Sequence, residues 1–161
     1  LGKLKSNHKA EEHMNVQRTN SENPDFIELV GLLDADLAQR DGDDHAFYHQ
    51  FNAIDNLRHV VVFYENSNAV GCGAFKAFDS DSVEIKRMYT RVNHRKKGIA
   101  SQILAALELW AAELGFTKCV LETGIKQPEA IELYVKNGYT SIPNYGQYVG
   151  VSGSQCFEKM L

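Results

Sequence analysis

The stretch SVEIKRMYTRVNHRKKGIASQILAALELWAAELG, residues 82–115, decides the fold. Its opening, Ser82 to Val92, follows a turn at Asp79-Ser80-Asp81 and reads as an extended strand. Its close, Gly98 to Leu114, places Ile99, Ile103, Leu107, Trp110 and Leu114 at helical spacing, with Gly115 in the C-terminal capping position. Between them lies the basic run Arg91, His94, Arg95, Lys96 and Lys97. A chain turning from strand into helix leaves the first helical N–H groups unpaired and pointing outward, so Arg95-Lys96-Lys97-Gly98-Ile99-Ala100 is an anion-binding turn by its position. Gly98 and Ala100 are small where backbone must come close to a ligand, and the expected guest is a pyrophosphate. Neither the G-x-x-x-x-G-K-[ST] loop nor G-x-G-x-x-G is present, which excludes the two commonest nucleotide turns.

Downstream, Lys118 to Glu122 reads as a short buried strand, and Pro128 opens a helix that carries Ala130, Ile131 and Tyr134 on one face and stops at Gly138. A Tyr/Gly/Pro-rich segment then leads to a last strand around Cys156-Phe157. Upstream, Phe26, Leu29, Val30, Leu33 and Leu37 recur at helical spacing between an Asn23 N-cap and Gly42. Ala46, Phe47, Phe51 and Ile54 suggest a second, shorter helix. His59 to Glu65 and Ala69 to Phe78 read as strands joined by Asn66-Ser67-Asn68. Residues 1–22 are polar and aperiodic; His13-Met14 resembles a cloning scar before a start codon, so 1–13 are read as a tag remnant and 14–161 as one domain. The expected order is helix, helix, three strands, helix, strand, helix, strand. That is a mixed α/β (α+β) domain, an antiparallel meander feeding a strand-helix-strand unit. A doubly wound sheet is disfavoured because the first three strands lack crossover helices.

Composition agrees with a single packed domain: 161 residues, 43% hydrophobic and 24% charged. The net charge of -4 and pI of 5.9 make general nucleic-acid binding a poor expectation. A mean hydropathy of -0.34 with no long apolar run predicts neither membrane spans nor a signal peptide, and points to the cytoplasm. Cys72, Cys119 and Cys156 are odd in number and set in strand-like sequence, as buried reduced thiols would be. His45 and His49 have the spacing of a helical metal pair, yet no glutamate lies between them and no third ligand is apparent, so no metal is expected.

With these residues in place, the sequence resembles the GNAT superfamily of acyl-CoA-dependent N-acetyltransferases. The family's signature, Arg or Gln, two variable residues, Gly, one variable residue, then Gly or Ala, is matched by Arg95, Gly98 and Ala100. Val83 to Tyr89 is similar to the family's fourth strand, and Ala130 to Tyr134 with Asn137-Gly138-Tyr139 is similar to its motif after the fifth. The likeness runs from Phe26 to Leu161. Departures are Lys96 where many members carry glycine, Gln127 where many carry asparagine, and Thr90 where valine is commoner.

The resemblance implies a GNAT-like fold whose fourth and fifth strands splay around the pantetheine arm of acetyl-CoA. Backbone groups of Met88 and Thr90 would meet that arm, with the Met88 N–H facing the thioester carbonyl. The loop residues Arg95, Lys96, Lys97, Gly98, Ile99, Ala100 and Ser101 would hold the pyrophosphate. Tyr134 stands where many members carry the acid that protonates the leaving thiolate. Glu84 stands eleven residues before Arg95, the offset of the base in the histone-acetylating branch. The implied reaction is direct transfer of acetyl to a primary amine, small molecule or peptide, in a ternary complex. The rival is an acyl-CoA-binding regulatory module without catalysis; a homodimer is left open. Tyr145-Gly-Gln-Tyr148, by the same resemblance, would overhang the acceptor site.

Overall fold

Side-chain capping fixes where the first helix begins. In the computed structural model, which describes residues 13–49 and 56–161, the Asn23 side chain accepts hydrogen bonds from the Asp25 and Phe26 N–H groups. Helix α1 (Pro24–Asp41) runs from there to Gly42, whose positive φ of 54° reverses the chain. It buries Phe26, Leu29, Val30 and Leu33, as the periodicity predicts. Helix α2 is described over His45–His49; the expected Phe51 and Ile54 lie outside the described residues. Helix α3 (Ile99–Glu113) and helix α4 (Pro128–Lys136) also start where the sequence places them.

Seven strands form one sheet: β1 (Met14–Thr19), β2 (His59–Glu65), β3 (Asn68–Ala77), β4 (Ser82–Thr90), β5 (Lys118–Gly124), β6 (Thr140–Ile142) and β7 (Ser154–Met160). Their spatial order is β1-β2-β3-β4-β5-β7-β6, and only β4 and β5 are parallel. The expected meander is β2-β3-β4. Two differences follow from edge positions. Strand β1, in the segment read as polar and aperiodic, pairs with β2 alone and needs no apolar alternation; β6 is three residues long. The expected extension of β4 to Val92 stops at Thr90, and Val92 enters a short 3-10 turn.

Helices α3 and α4 cover one face of the sheet and α1 the other. Ile103, Leu104 and Leu107 of α3 pack with Val61, Phe63, Phe75 and Leu121, each fully buried side chain contributing roughly 1.5–3 kcal/mol. The close fit depends on β3 glycines: a Cβ at Gly73 would stand 2.9 Å from Leu107 Cδ1, and one at Gly71 2.8 Å from Ile103 Cδ1. Phe26, Leu29, Val60, Val62 and Cys72 make the second core beneath α1. The three cysteines are free and buried.

Two irregularities of β4 shape the site. Gly73 faces two residues, because Cys72 pairs with Tyr89 and Ala74 with Lys86. This β-bulge puts Arg87 at φ 59°. The second irregularity is on the other edge. Strands β4 and β5 pair only between Ser82–Glu84 and Lys118–Val120, although β4 continues to Thr90 and β5 to Gly124. Past Glu84 the two strands part, and a wedge opens between them.

Candidate active site

One cleft of about 620 Å³ follows the wedge from the start of α3 to the space beneath α1. Its outer end is built by backbone. Lys96 (φ 63°) and Gly98 (φ 80°) turn the chain into α3, and the first N–H in the helix to find a partner of its own turn is that of Gln102, bonded to the Gly98 carbonyl. The N–H groups of Ile99, Ala100 and Ser101 come before it, at the positive end of the helix. A Cβ on Gly98 would meet nothing within 4 Å, so the space above that turn is open to a ligand. Arg95 does not point freely outward: its Nε donates to the Thr90 carbonyl at 2.9 Å and its guanidinium lies 5.5 Å from the Tyr89 ring centroid. The Thr90 carbonyl expected to face the pantetheine arm therefore already accepts one bond. Ser101 is tied to α4, its Oγ accepting from Asn137 Nδ2 at 3.0 Å. Lys97 is exposed, and Ile99 turns its side chain into the core.

The inner end is built by side chains from many elements. Tyr134 of α4, 6% exposed, lines the cleft and packs on Tyr139 and Phe157; burial and the nearby Glu122 push its phenol above the ordinary tyrosine range. Met88 lines the same wedge, with its side chain among Gly73, Ile103 and Leu107 on the α3 face. Glu84 also lines the cleft, but its carboxylate is held. Tyr145 Oη donates to Oε2 at 2.6 Å, while Lys86 and Lys76 stand 3.6 Å and 3.8 Å from Oε1. Tyr145 thus reaches the site through Glu84, and Tyr148 of the same loop lines the cleft.

The sequence reading missed Glu122. Near this β5 carboxylate lies Ser154, whose Oγ is 3.0 Å from Tyr48 Oη, and the carboxylate's Oε1 is buried with no hydrogen-bond partner. Burial pushes its pKa up to about 7; Ser154 and Lys86 oppose that rise, Glu84 and Asp41 add to it. Asp41, at the end of α1, is itself raised by burial. The available signal was an ionisable residue directly after the buried apolar run Cys119–Leu121, in a segment that reads as a buried strand.

These features also fit an independent finding: the sequence profile of the acetyltransferase (GNAT) family matches residues 22–139. The chain belongs to the GNAT family. An IAA acetyltransferase of Azospirillum brasilense is 33% identical over 127 residues, covering 76% of this chain and 81% of that protein. The uncharacterized N-acetyltransferase YsnE of Bacillus subtilis (strain 168) is 33% identical over 87 residues, and the match spans 58% of its length. A crystal structure of a putative acyl-CoA N-acyltransferase from Klebsiella pneumoniae superposes with a TM-score of 0.77 at 28% identity, covering 92% of this chain and 97% of that one. The GNAT wedge is thus the place where this chain's turn, Tyr134, Glu84 and Glu122 come together. Among the described residues there is no cluster of three or more His, Cys, Asp or Glu side chains able to hold a metal, and no helix long and apolar enough to cross a membrane.

Proposed function

We propose that this GNAT protein transfers the acetyl group of acetyl-CoA to a primary amine by direct attack in a ternary complex. The observation that carries the reading is the cleft itself, which joins an anion-binding helix start to a buried Tyr134 and an unpartnered Glu122 oxygen. The N–H groups at the start of α3 bind the pyrophosphate and the free edge of β4 receives the pantetheine arm, the Met88 N–H serving the thioester oxygen.

An alkylammonium with a pKa of about 10.4 must lose a proton before it attacks. Glu122 is the better acceptor of that proton: its raised pKa matches neutral pH and its Oε1 is unoccupied, whereas Glu84 is bound by Tyr145 and two lysines. As the C–N bond forms and the C–S bond breaks, the Tyr134 phenol gives its proton to the departing sulfur, and the nitrogen, positively charged after attack, releases its second proton to solvent to leave the neutral amide. The proton held on Glu122 then returns through solvent to restore Tyr134. The acceptor is a small molecule or peptide amine reached from the α1 side. Release of free CoA thiol across a panel of amines, polyamines, amino acids and peptides tests the whole reading. Turnover with at least one amine is expected; acetyl-CoA binding with no turnover on any of them would leave a regulatory binding module.

A further inference from the structure

The parallel pairing of Glu84 with Val120 can be carried two residues past the last bonded pair. That step puts Lys86 of β4 opposite Glu122 of β5, across the floor of the wedge, with both side chains on the α1 face. Lys86 is only 8% exposed in its side chain and lies 3.6 Å from Glu84 Oε1. A lysine so deeply placed is expensive unless carboxylates surround it. Glu84 stands beside it on its own strand, and the extended register brings Glu122 from the other.

We propose that Lys86 is a positioning residue for the base: its ammonium spans the floor of the wedge between Glu84 and Glu122 and keeps the Glu122 carboxylate ionised for proton abstraction. This rests on the reading of Glu122 given above. The direction of the effect is fixed by charge. An ammonium beside a carboxylate favours the ionised form, and the Lys86 charge opposes the burial that raises Glu122. Burial lowers the lysine's own pKa, while Glu84 and Glu122 hold it up and Lys76 lowers it further. The other groups that face Glu122 act differently. Asp41 from α1 and Glu84 from β4 repel its charge, and the Ser154 hydroxyl from β7 favours it. Tyr48, Tyr134, Tyr148 and Cys156 are all made weaker acids, first by burial and then by the Glu122 charge, so they stay neutral where the carboxylate titrates. Lys86 is the cation that Glu122 faces among the described groups acting on it.

The test is kcat/KM against pH for wild type, Lys86→Met, Lys86→Arg and Glu122→Gln, using an amine found in the panel, with thermal unfolding at each pH. The Glu122 carboxyl midpoint is read in parallel by carbon NMR of glutamate-labelled protein, which needs no acceptor. Wild type should show an acidic limb centred near 7. In Lys86→Met the limb and the NMR midpoint should both rise by about one pH unit, so activity at pH 6 falls about tenfold further than the alkaline plateau does. Lys86→Arg should keep the limb in place, and the KM for acetyl-CoA should be unchanged throughout. Should Lys86→Met not fold, Lys86→Gln serves as the neutral variant. An unmoved midpoint, or a loss equal at every pH, would overturn the role of Lys86. A limb that survives in Glu122→Gln would instead remove Glu122 as the base, and the two failures are told apart by that variant.

Discussion

The two ends of the cleft are made by opposite means. The outer end is a run of seven neighbouring residues, Arg95 to Ser101, that offers mostly backbone, and its conformation is set by Lys96 and Gly98. The inner end gathers Asp41, Tyr48, Glu84, Lys86, Glu122 and Tyr134 from α1, α2, β4, β5 and α4. A backbone site resists side-chain replacement but fails when its path is blocked. A side-chain site holds its shape and loses function through changes in charge.

The largest effect should come from blocking the outer end. Gly98→Glu puts both bulk and negative charge into the open space over the turn, and a residue with a Cβ at positive φ adds strain. Acetyl-CoA binding by calorimetry should be abolished in a protein that still unfolds cooperatively. Unchanged affinity would mean the turn is not the cofactor site.

Next comes the inner end, where binding and rate should separate. Tyr134→Phe removes only a hydroxyl, so acetyl-CoA should bind nearly as before while kcat falls by roughly 10²–10⁴-fold. Equal losses of affinity and rate would show a packing defect and reduce the contrast between the two ends.

Glu122→Gln should sharpen it through stability. Burial pushes the Glu122 carboxyl up to about 7 in the folded protein from the ordinary 4.5 that it keeps when unfolded. Between those pH values the folded protein holds the extra proton, so stability present below pH 4.5 is lost as pH rises through about 7. Removing the charge should therefore stabilise the protein above pH 7 by roughly 1–3 kcal/mol, read as a higher Tm, with no gain at pH 4. Activity should move the other way, falling by roughly 10²-fold. A variant that is both less stable and less active at pH 8 would contradict a strained catalytic carboxylate.

The smallest effect is expected from Lys96→Gly. The left-handed conformation at Lys96 costs a residue with a Cβ up to about 1–2 kcal/mol, partly offset by the greater entropy glycine loses on folding. Stability should rise by less than about 1 kcal/mol by denaturant titration, and acetyl-CoA affinity should drop only by the share of the lysine charge.

The same division explains what could be read from the sequence. Asn23, Pro128, Gly98, Gly115 and Gly138 act on their own neighbours, so the helix limits and the anion turn were legible. Strand β1 was not, because an edge strand with one partner carries little apolar pattern in Met14–Thr19. Glu84 was singled out by its offset from Arg95, and its pairing with Lys86 or Lys76 could be read locally, but its tie to Tyr145 depends on a segment 61 residues away. Glu122 looks like any strand carboxylate until the fold sets it in the cleft with one carboxylate oxygen buried and unpartnered. The Tyr145-Gly-Gln-Tyr148 segment was placed near the site, and the structure adds that Tyr145 reaches it by holding Glu84.

The bulge at Arg87 has a further consequence for how this protein can change. An extra residue in a pleated strand reverses the alternation of everything beyond it, so Arg87 turns to Asp34 of α1, 2.7 Å away, while Met88 returns to the α3 side. Deleting Arg87 would restore regular pairing of Gly73 with Met88 and keep every later residue on its face, at the loss of the Asp34 contact, whereas a deletion elsewhere in β4 that kept the bulge would exchange the faces of all that follows and send Met88 toward α1. The length of β4 is therefore a harder constraint on its descendants than its composition: substitutions can be tested one at a time, whereas an insertion or deletion between Glu84 and Arg95, other than removal of the bulge residue itself, must be matched by a second one within the same segment.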